Sequence, residues 1–230
     1  IAVLAIGADD GHRIAIGVYN LDGAALTRTE RIELDVTGAQ TPVPALSDRA
    51  RPDLLLLNDD DLTFAKIRLD ARSLETVTAH FGGVADPLAR ALLWGAMWDM
   101  TRDGEISTSA FTDTVISGLG DEREVGMVQQ VLRQADSALA FYAAPERREE
   151  YNQRLADFLE DLLRKAEPGS DHQLAYMRGF SVFAASPEHV ALLRGLLDGT
   201  TTIDGLAIAT DLRWTLLTRL VVLGEAGNQE

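Results

Sequence analysis

Residues 52–71 read PDLLLLNDDDLTFAKIRLDA, and the pattern of apolar residues changes at the end of this stretch. Leu54–Leu57 is a continuous apolar run that indicates a buried strand. The acidic turn Asn58–Asp61 follows, and Thr63–Leu69 then alternates two sets of side chains, which predicts a returning strand. From residue 72 onward, apolar residues recur with the 3.6-residue repeat of a helix. We therefore predict that a β region gives way to an α region here.

The residues before this stretch also carry strand patterns. Ile14, Ile16 and Val18 share one face of an alternating run, and Ile32–Val36 alternates apolar with charged side chains. Short strands joined by turns, with no helix between them, are typical of an antiparallel β-sandwich. We predict a small sandwich of this kind for residues 1–71.

The residues after the stretch are divided by start and stop signals of helices. Predicted starts, where a capping side chain or a proline precedes an apolar repeat, lie at Asp86, Ser107 or Ser109, Asp121, Pro145, Ser170 and Ser186. Gly104, Gly199 and Gly224 mark predicted ends. About seven or eight helices result, with pairs recurring on the scale of HEAT-type repeats. The fold class is therefore α+β, with an irregular HEAT-like helical array or solenoid over residues 72–230.

Composition excludes several classes of protein. The chain has 230 residues, of which 46% are hydrophobic and 25% charged, too apolar a mixture for a disordered chain. Its net charge of −15 argues against a nucleic-acid partner, because phosphate affinity comes from clustered Lys and Arg. It also argues against an anionic membrane surface. The absence of cysteine rules out disulfides, cysteine-type zinc sites and thiol nucleophiles.

The chain begins inside an apolar run, Ile1–Ile6, and has no basic leader before it. A natural N-terminus seldom opens on a strand-like segment, so we expect a piece of a longer protein. The run does not have the form of a signal peptide, and no stretch approaches the ~18–20 apolar residues that cross a bilayer. We expect a cytoplasmic location.

Motifs for catalysis are absent from the sequence. His12, His80, His172 and His189 are followed by Arg, Phe, Gln and Val, so the zinc-protease pattern HExxH does not occur. A GxSxG nucleophile elbow and a phosphate-binding P-loop are also missing. We expect no complete active site, no metal and no cofactor within this segment.

Two clusters have a functional and a structural interpretation. The run Asp59–Asp61, with Asp70 nearby, could hold a hard cation, but it lacks the alternate ligand spacing and the glycine of a calcium loop. We favour a solvated hairpin tip. The residues Trp94, Trp98, Met97 and Met100 could form a ligand box, but this helical spacing is more typical of a core.

Arginine supplies 19 of the 21 basic residues. Arg102, Arg178 and Arg213 are flanked by apolar residues on predicted helices, so one of them could bind the carboxylate of a peptide on a concave helical surface. The structural alternative for each is an internal salt bridge or a cap to a neighbouring acid. We predict these three as substrate-binding candidates.

Several stretches together resemble the aminopeptidase N family of zinc metallopeptidases. Pro52–Asp70 resembles a strand–turn–strand of that family, and Asp86–Glu105, with Arg90 and Trp94 four apart and Asp99 after them, resembles the first helix of its C-terminal helical domain. Pro168–Leu174 and Thr210–Trp214 are similar to later segments of actinobacterial-type members.

The resemblance implies the C-terminal part of such an enzyme, a β-sandwich followed by a helical domain. The family's zinc and its HExxH motif belong to a catalytic domain that precedes both, so this segment would be inactive alone. It would close the catalytic chamber and position peptides whose N-terminal residues are removed. Its partners would be the catalytic domain of the same polypeptide and peptide substrates. The alternative is a non-enzymatic helical-repeat scaffold that binds a partner protein.

Overall fold

A computed structural model describes residues 2–3 and 11–227 of the chain. Contacts between residues divide the chain into two compact units, Ile1–Asp121 and Glu122–Glu230. Most of the predicted run Ile1–Ile6 lies outside the described residues; within it, Ala2–Val3 forms a short strand.

Antiparallel strands make up the β part of the first unit. The strands are Ala2–Val3 (β1), His12–Asp22 (β2), Ala25–Val36 (β3), Thr41–Pro42 (β4) and Leu54–Leu57 (β5). One sheet has the order β3-β2-β5, and β1 pairs separately with β4. A two-residue turn joins β2 to β3, and its Gly23 has the φ of 61° that favours glycine in hairpin turns. The alternating runs predicted from the sequence are both strands here.

Strand β2 lies at the centre of the three-stranded sheet, and side chains on both of its faces are buried. Ile16 pairs with Ile32 of β3 on one side and with Leu57 of β5 on the other. The six residues from Ile14 to Tyr19 are all buried. Ile14, Ile16 and Val18 pack with Val36, Val43 and Leu55 into one core cluster. This cluster is the apolar support for the sheet.

A buried carboxylate connects the three strands of this sheet. Asp59, 1% exposed, accepts hydrogen bonds from the Tyr19 hydroxyl at 3.1 Å and from Arg28 at 2.9 Å. Burial, followed by the nearby Asp59 charge, raises the pKa of Tyr19 above its usual value, so the hydroxyl stays a donor. Gly17 leaves the room for this carboxylate, because a Cβ there would lie 2.2 Å from an Asp59 oxygen. The predicted solvated tip is therefore wrong for Asp59.

The strand predicted at Thr63–Leu69 is also wrong, because this segment joins no sheet. Its alternation has another cause. Ile67 and Leu69 are buried, whereas Lys66 and Arg68 pair with Asp103 and Glu105 after the second helix. Side-chain ion pairs, rather than backbone hydrogen bonds to a neighbouring strand, thus hold the segment in place.

Eight α-helices follow in the part of the chain that the structure describes. They are Ala71–His80 (α1), Pro87–Arg102 (α2), Thr108–Gly118 (α3), Val125–Phe141 (α4), Arg148–Lys165 (α5), Asp171–Phe183 (α6), Pro187–Asp198 (α7) and Thr210–Val222 (α8). The first three lie in the first unit and the others in the second. The α+β class and the number of helices predicted from the sequence are confirmed. None of these helices has the length and apolarity needed to cross a membrane.

Side-chain caps explain where most helices begin. Asp70, Asp86, Ser107, Ser170 and Ser186 each accept a backbone N–H at the start of a helix. The predicted cap at Asp121 is wrong, because this residue ends a 3-10 turn and α4 begins after Glu124 without a side-chain cap.

The predicted division after residue 71 stays a prediction. Strands do give way to helices there, since α1 begins at Ala71. However, α1 packs against β5, and the first compact unit continues to Asp121.

The start of α7 generates a prediction about stability. The Ser186 hydroxyl accepts the backbone N–H of His189 at 3.2 Å, and the His189 ring accepts the N–H of Ser186. We expect Ser186→Ala to lower the free energy of unfolding by about 1 kcal/mol, because a first-turn N–H loses its acceptor. Urea unfolding measures this change. Ser137→Ala, inside α4, is the control and should change the stability by less than about 0.5 kcal/mol. Equal effects would contradict the capping role.

The Asp59 carboxylate generates a second prediction. Asp59→Ala should lower the free energy of unfolding by about 2–3 kcal/mol, because the buried Tyr19 hydroxyl loses its acceptor and Arg28 loses one of two. The exposed Asp22→Ala should stay within about 0.5 kcal/mol in the same urea titration.

The neighbouring Asp60 adds a dependence on pH. Its hydrogen bonds from Arg28 and Arg31 lower its pKa, so its contribution to stability is present above about pH 4 and is lost as the pH falls through the lowered pKa. Asp60→Asn should therefore destabilise the chain near neutral pH and have a smaller effect at about pH 2–3. An effect that is the same at both pH values would contradict the ion pair.

Candidate functional site

The structure places the three predicted arginines on three different helices. Arg102 ends α2 in the first unit, and its nearest acidic partner is Asp99, with Nη2 and Oδ1 3.9 Å apart. Both residues lie on the same helix and Arg102 is exposed. A pair at this distance and exposure contributes little to stability, so the structural interpretation of Arg102 is a weak pair within its own helix.

Arg178 of α6 forms an internal salt bridge, as the structural alternative to substrate binding predicts. Its guanidinium donates to Asp211 at the start of α8, with 2.5 Å between Nη2 and Oδ2. This hydrogen bond lowers the pKa of the Asp211 carboxyl. Both side chains are exposed, so water screens the pair and a carboxylate from outside could exchange for Asp211.

A cleft of about 240 Å³ lies beside Arg178. Its lining combines apolar residues with two arginines, one aspartate and one glutamine: Gln129, Leu132, Arg133, Asp136, Ala175, Arg178, Gly179, Val182 and Phe183. Arg133 was not among the predicted candidates, although it directly follows the apolar Val131 and Leu132 on a helix. The polar Gln134 follows it, so Arg133 has apolar residues on one side only and the sequence criterion does not select it.

Arg213 of α8 differs from the other two, because no carboxylate within the described residues pairs with it. It lines a groove of about 470 Å³ whose walls come from α7 and α8. The lining residues are Arg194, Leu197, Asp198, Thr210, Arg213, Trp214, Leu217 and Leu220. Trp214 is 64% exposed, so most of its indole is open to solvent beside Arg213. This groove combines an available cation with an open aromatic surface.

The chemistry of the groove suits a carboxylate attached to an apolar group. A guanidinium binds a carboxylate by two parallel hydrogen bonds, and an indole or leucine beside it contacts the apolar part. Arg194, at the other side, donates to Glu225 beyond the end of α8. Asp198 adds a negative charge, so the groove favours a ligand whose anionic end approaches Arg213.

The acidic cluster is already bound by groups of the protein itself. Asp59 and Asp60 are bound by Arg28 and Arg31, and Asp70 caps α1 and accepts from Ser73 at 2.8 Å. Guanidinium groups thus occupy positions that a cation would take. Within residues 11–227, no group of three or more His, Asp or Glu is arranged to hold a metal ion.

The Trp and Met cluster is core, as the sequence predicts. Trp94, Met97 and Met100 are buried, and Trp98 is partly buried. The Trp94 ring lies 3.9 Å from that of Phe81, between ring centroids. These contacts fill the space that a ligand would need.

Ser186, His189 and Asp157 have the residue types of a catalytic triad but not its geometry. His189 Nε2 lies 2.9 Å from Asp157, which gives a His–Asp contact, but through the ring nitrogen that faces the serine in the Ser-His-Asp triad. The Ser186 hydroxyl, however, accepts the His189 backbone N–H, and the ring Nδ1 accepts backbone N–H groups at 3.4 Å. The ring therefore takes no proton from the hydroxyl. Ser186 and His189 cap α7, and Asp157 of α5 binds the His189 ring.

Comparison with known proteins supports the same family as the resemblance. A family model described as "ERAP1-like C-terminal domain" matches residues 54–230. An aminopeptidase N from Streptomyces lividans is 51% identical over 220 residues, which is 95% of this chain.

The match covers only part of that relative. The chain spans 26% of the length of the Streptomyces aminopeptidase N. The family model, in contrast, matches well over half of this chain, through β5 and all eight helices. The chain therefore belongs to the ERAP1-like C-terminal domain family.

Proposed function

We propose that this chain is the non-catalytic C-terminal segment of a zinc-dependent aminopeptidase, which removes N-terminal residues from peptides. The observation that carries the proposal is the 51% identity to an aminopeptidase N over 95% of the chain. Since the chain spans 26% of that relative, the catalytic residues and the zinc would lie in the remainder of a longer polypeptide. The lack of HExxH in the sequence is compatible with this division.

The role proposed for the segment is to close the catalytic chamber and to position peptides. Closing a chamber excludes water and folded proteins, and it strengthens electrostatic interactions inside. The groove between α7 and α8 supports a positioning role, because Arg213 and Trp214 offer a cation and an aromatic surface together. Arg213 is therefore the first candidate to bind the peptide carboxylate. Arg178 is second because Asp211 competes for it, and Arg102 is third.

The finer description of the fold belongs to the same proposal. We propose that the helical part, residues 72–230, is a HEAT-like array, which is supported by the packing of α5 on α6 and of α7 on α8. The strands of residues 1–71 would belong to a β-sandwich, which is supported by the core on one face of the three-stranded sheet.

The partners proposed for the segment are the catalytic domain of the same polypeptide and peptide substrates. A cytoplasmic location stays a prediction, which cell fractionation tests.

Steady-state kinetics of the full-length enzyme test the role of Arg213. Arg213→Ala should raise KM for a short peptide about tenfold and change kcat less than about twofold, because one charge-assisted hydrogen-bond pair is lost in the bound state. A peptide with an amidated C-terminus should show no such change. Arg213→Lys should recover part of the loss. Arg123→Ala, an exposed arginine of the turn before α4, is the control.

Unchanged kinetics for alanine variants of Arg102, Arg178 and Arg213 alike would contradict the carboxylate role. A change of the same size with the amidated peptide would assign the effect to packing rather than to charge.

Activity and zinc content test the division of labour. The 230-residue chain alone should neither hydrolyse an aminoacyl-anilide nor bind stoichiometric zinc, whereas the longer natural protein should do both. Hydrolysis by this chain alone would overturn the proposal. A gene without an HExxH coding region would favour a non-enzymatic scaffold.

A further inference from the structure

The loop that follows β5 carries two apolar side chains into solvent. We name residues 58–65 the Phe64 loop. Phe64 has a relative exposure of 104% and Leu62 of 45%. A phenylalanine this exposed makes no packing contact in its own unit, so its ring is available to another surface.

The backbone next to Phe64 is nevertheless tightly held. The Asn58 side chain donates to the Thr63 carbonyl at 2.7 Å and accepts the Thr63 N–H at 3.2 Å. The Thr63 hydroxyl also lies 3.1 Å from His12 Nδ1. The residue that immediately precedes Phe64 therefore has three hydrogen bonds, and Asn58 itself is buried.

Both ends of the loop are anchored by charge. At the start, Asp59 and Asp60 are bound by arginines of β3. Just past the end, Lys66 donates to Asp103 at 3.0 Å. The loop thus has little freedom to fold its exposed ring back onto its own unit.

The conformation of the loop is costly for residues other than glycine. Asn58, Asp60 and Asp61 have φ values of 56°, 68° and 52°, in the left-handed region. Such conformations persist where the surrounding structure enforces them, and they are concentrated at functional sites. A rigid loop that presents an exposed aromatic ring loses little conformational entropy on binding, which is the property of an interface anchor.

We propose that the Phe64 loop is a docking surface, with Phe64 as its anchor, for the part of a longer polypeptide that lies outside these 230 residues. The inference rests on the proposed function, in which this chain is one segment of a larger enzyme. Its occupant follows from the aminopeptidase N relative, of which the matched segment is only 26%, so that most of that polypeptide remains to contact it.

The chemistry of the loop describes the surface that receives it. Phe64 and Leu62 require an apolar depression in the surface that receives them. The carboxylate of Asp61, next to Leu62, is exposed and favours a basic group at the rim of that depression. Binding at this surface would bury the ring and leave the ion pairs of the loop intact.

Thiol labelling of the full-length protein tests the proposal, since the segment has no cysteine of its own. Ala65→Cys places a thiol beside Phe64 at an exposed position, and mass spectrometry of the peptide reports its reaction with a maleimide. We expect labelling to be slower by a factor of about ten or more in the native protein than in urea. In the native double variant Ala65→Cys/Phe64→Ser, labelling should be faster than in native Ala65→Cys by a factor of about ten or more, because the anchor is lost.

A matched pair of variants controls for exposed phenylalanines in general. Phe141 is 76% exposed at the end of α4, and Ala144 is exposed nearby. Ala144→Cys should label at the same rate with and without Phe141→Ser.

Each other outcome overturns the inference. Labelling of the Ala65→Cys variant in its native state at the rate found in urea would show that the loop is open. Protection that persists after Phe64→Ser would show that Phe64 is not the anchor, and protection that depends on protein concentration would identify a second copy of the chain as the occupant. All three leave the aminopeptidase proposal intact, because it is judged by activity and zinc content.

Discussion

The buried Asp59 carboxylate is the interaction on which the first unit depends. Asp59 lies two residues after the end of β5 and occupies the space that Gly17 leaves open. It accepts hydrogen bonds from the Tyr19 hydroxyl of β2 and from the Arg28 guanidinium of β3. Removing a carboxylate from water is unfavourable, and here hydrogen bonds from the other two strands of the sheet compensate for it. The order of the three strands and the direction of the chain after β5 are both coupled to this one group.

Sequence patterns predict the elements that depend on neighbouring residues and fail where the structure depends on distant ones. The strands β2, β3 and β5 and the caps at Asp86, Ser170 and Ser186 depend on neighbours in sequence, and their patterns predict them well. The segment after Asp61 depends on acids more than thirty residues away, and a strand was predicted where ion pairs hold an irregular chain. Alternation records which side chains are buried, not which backbone groups are paired.

The sequence predicts that arginines on helices are the candidate site residues, but it does not predict which of them is available to a ligand. Flanking apolar residues pointed to arginines on helices, and this pattern is local. The partner of Arg178, however, is Asp211, which lies 33 residues further along the chain. Only the fold shows that Arg178 has a partner and that Arg213 lies beside an open indole instead. Partners that are distant in sequence decide which cation remains available for a ligand.

The distribution of tryptophan has a spectroscopic consequence. Trp94 and Trp98 belong to the first unit, where Trp94 is stacked in the core, whereas Trp214 is the tryptophan of the second unit and lies mostly in solvent. A dissolved quencher therefore reaches the indole of the second unit and not that of Trp94. Emission from the unlabelled chain therefore contains a mostly accessible component from the second unit, and a buried and a partly buried component from the first unit.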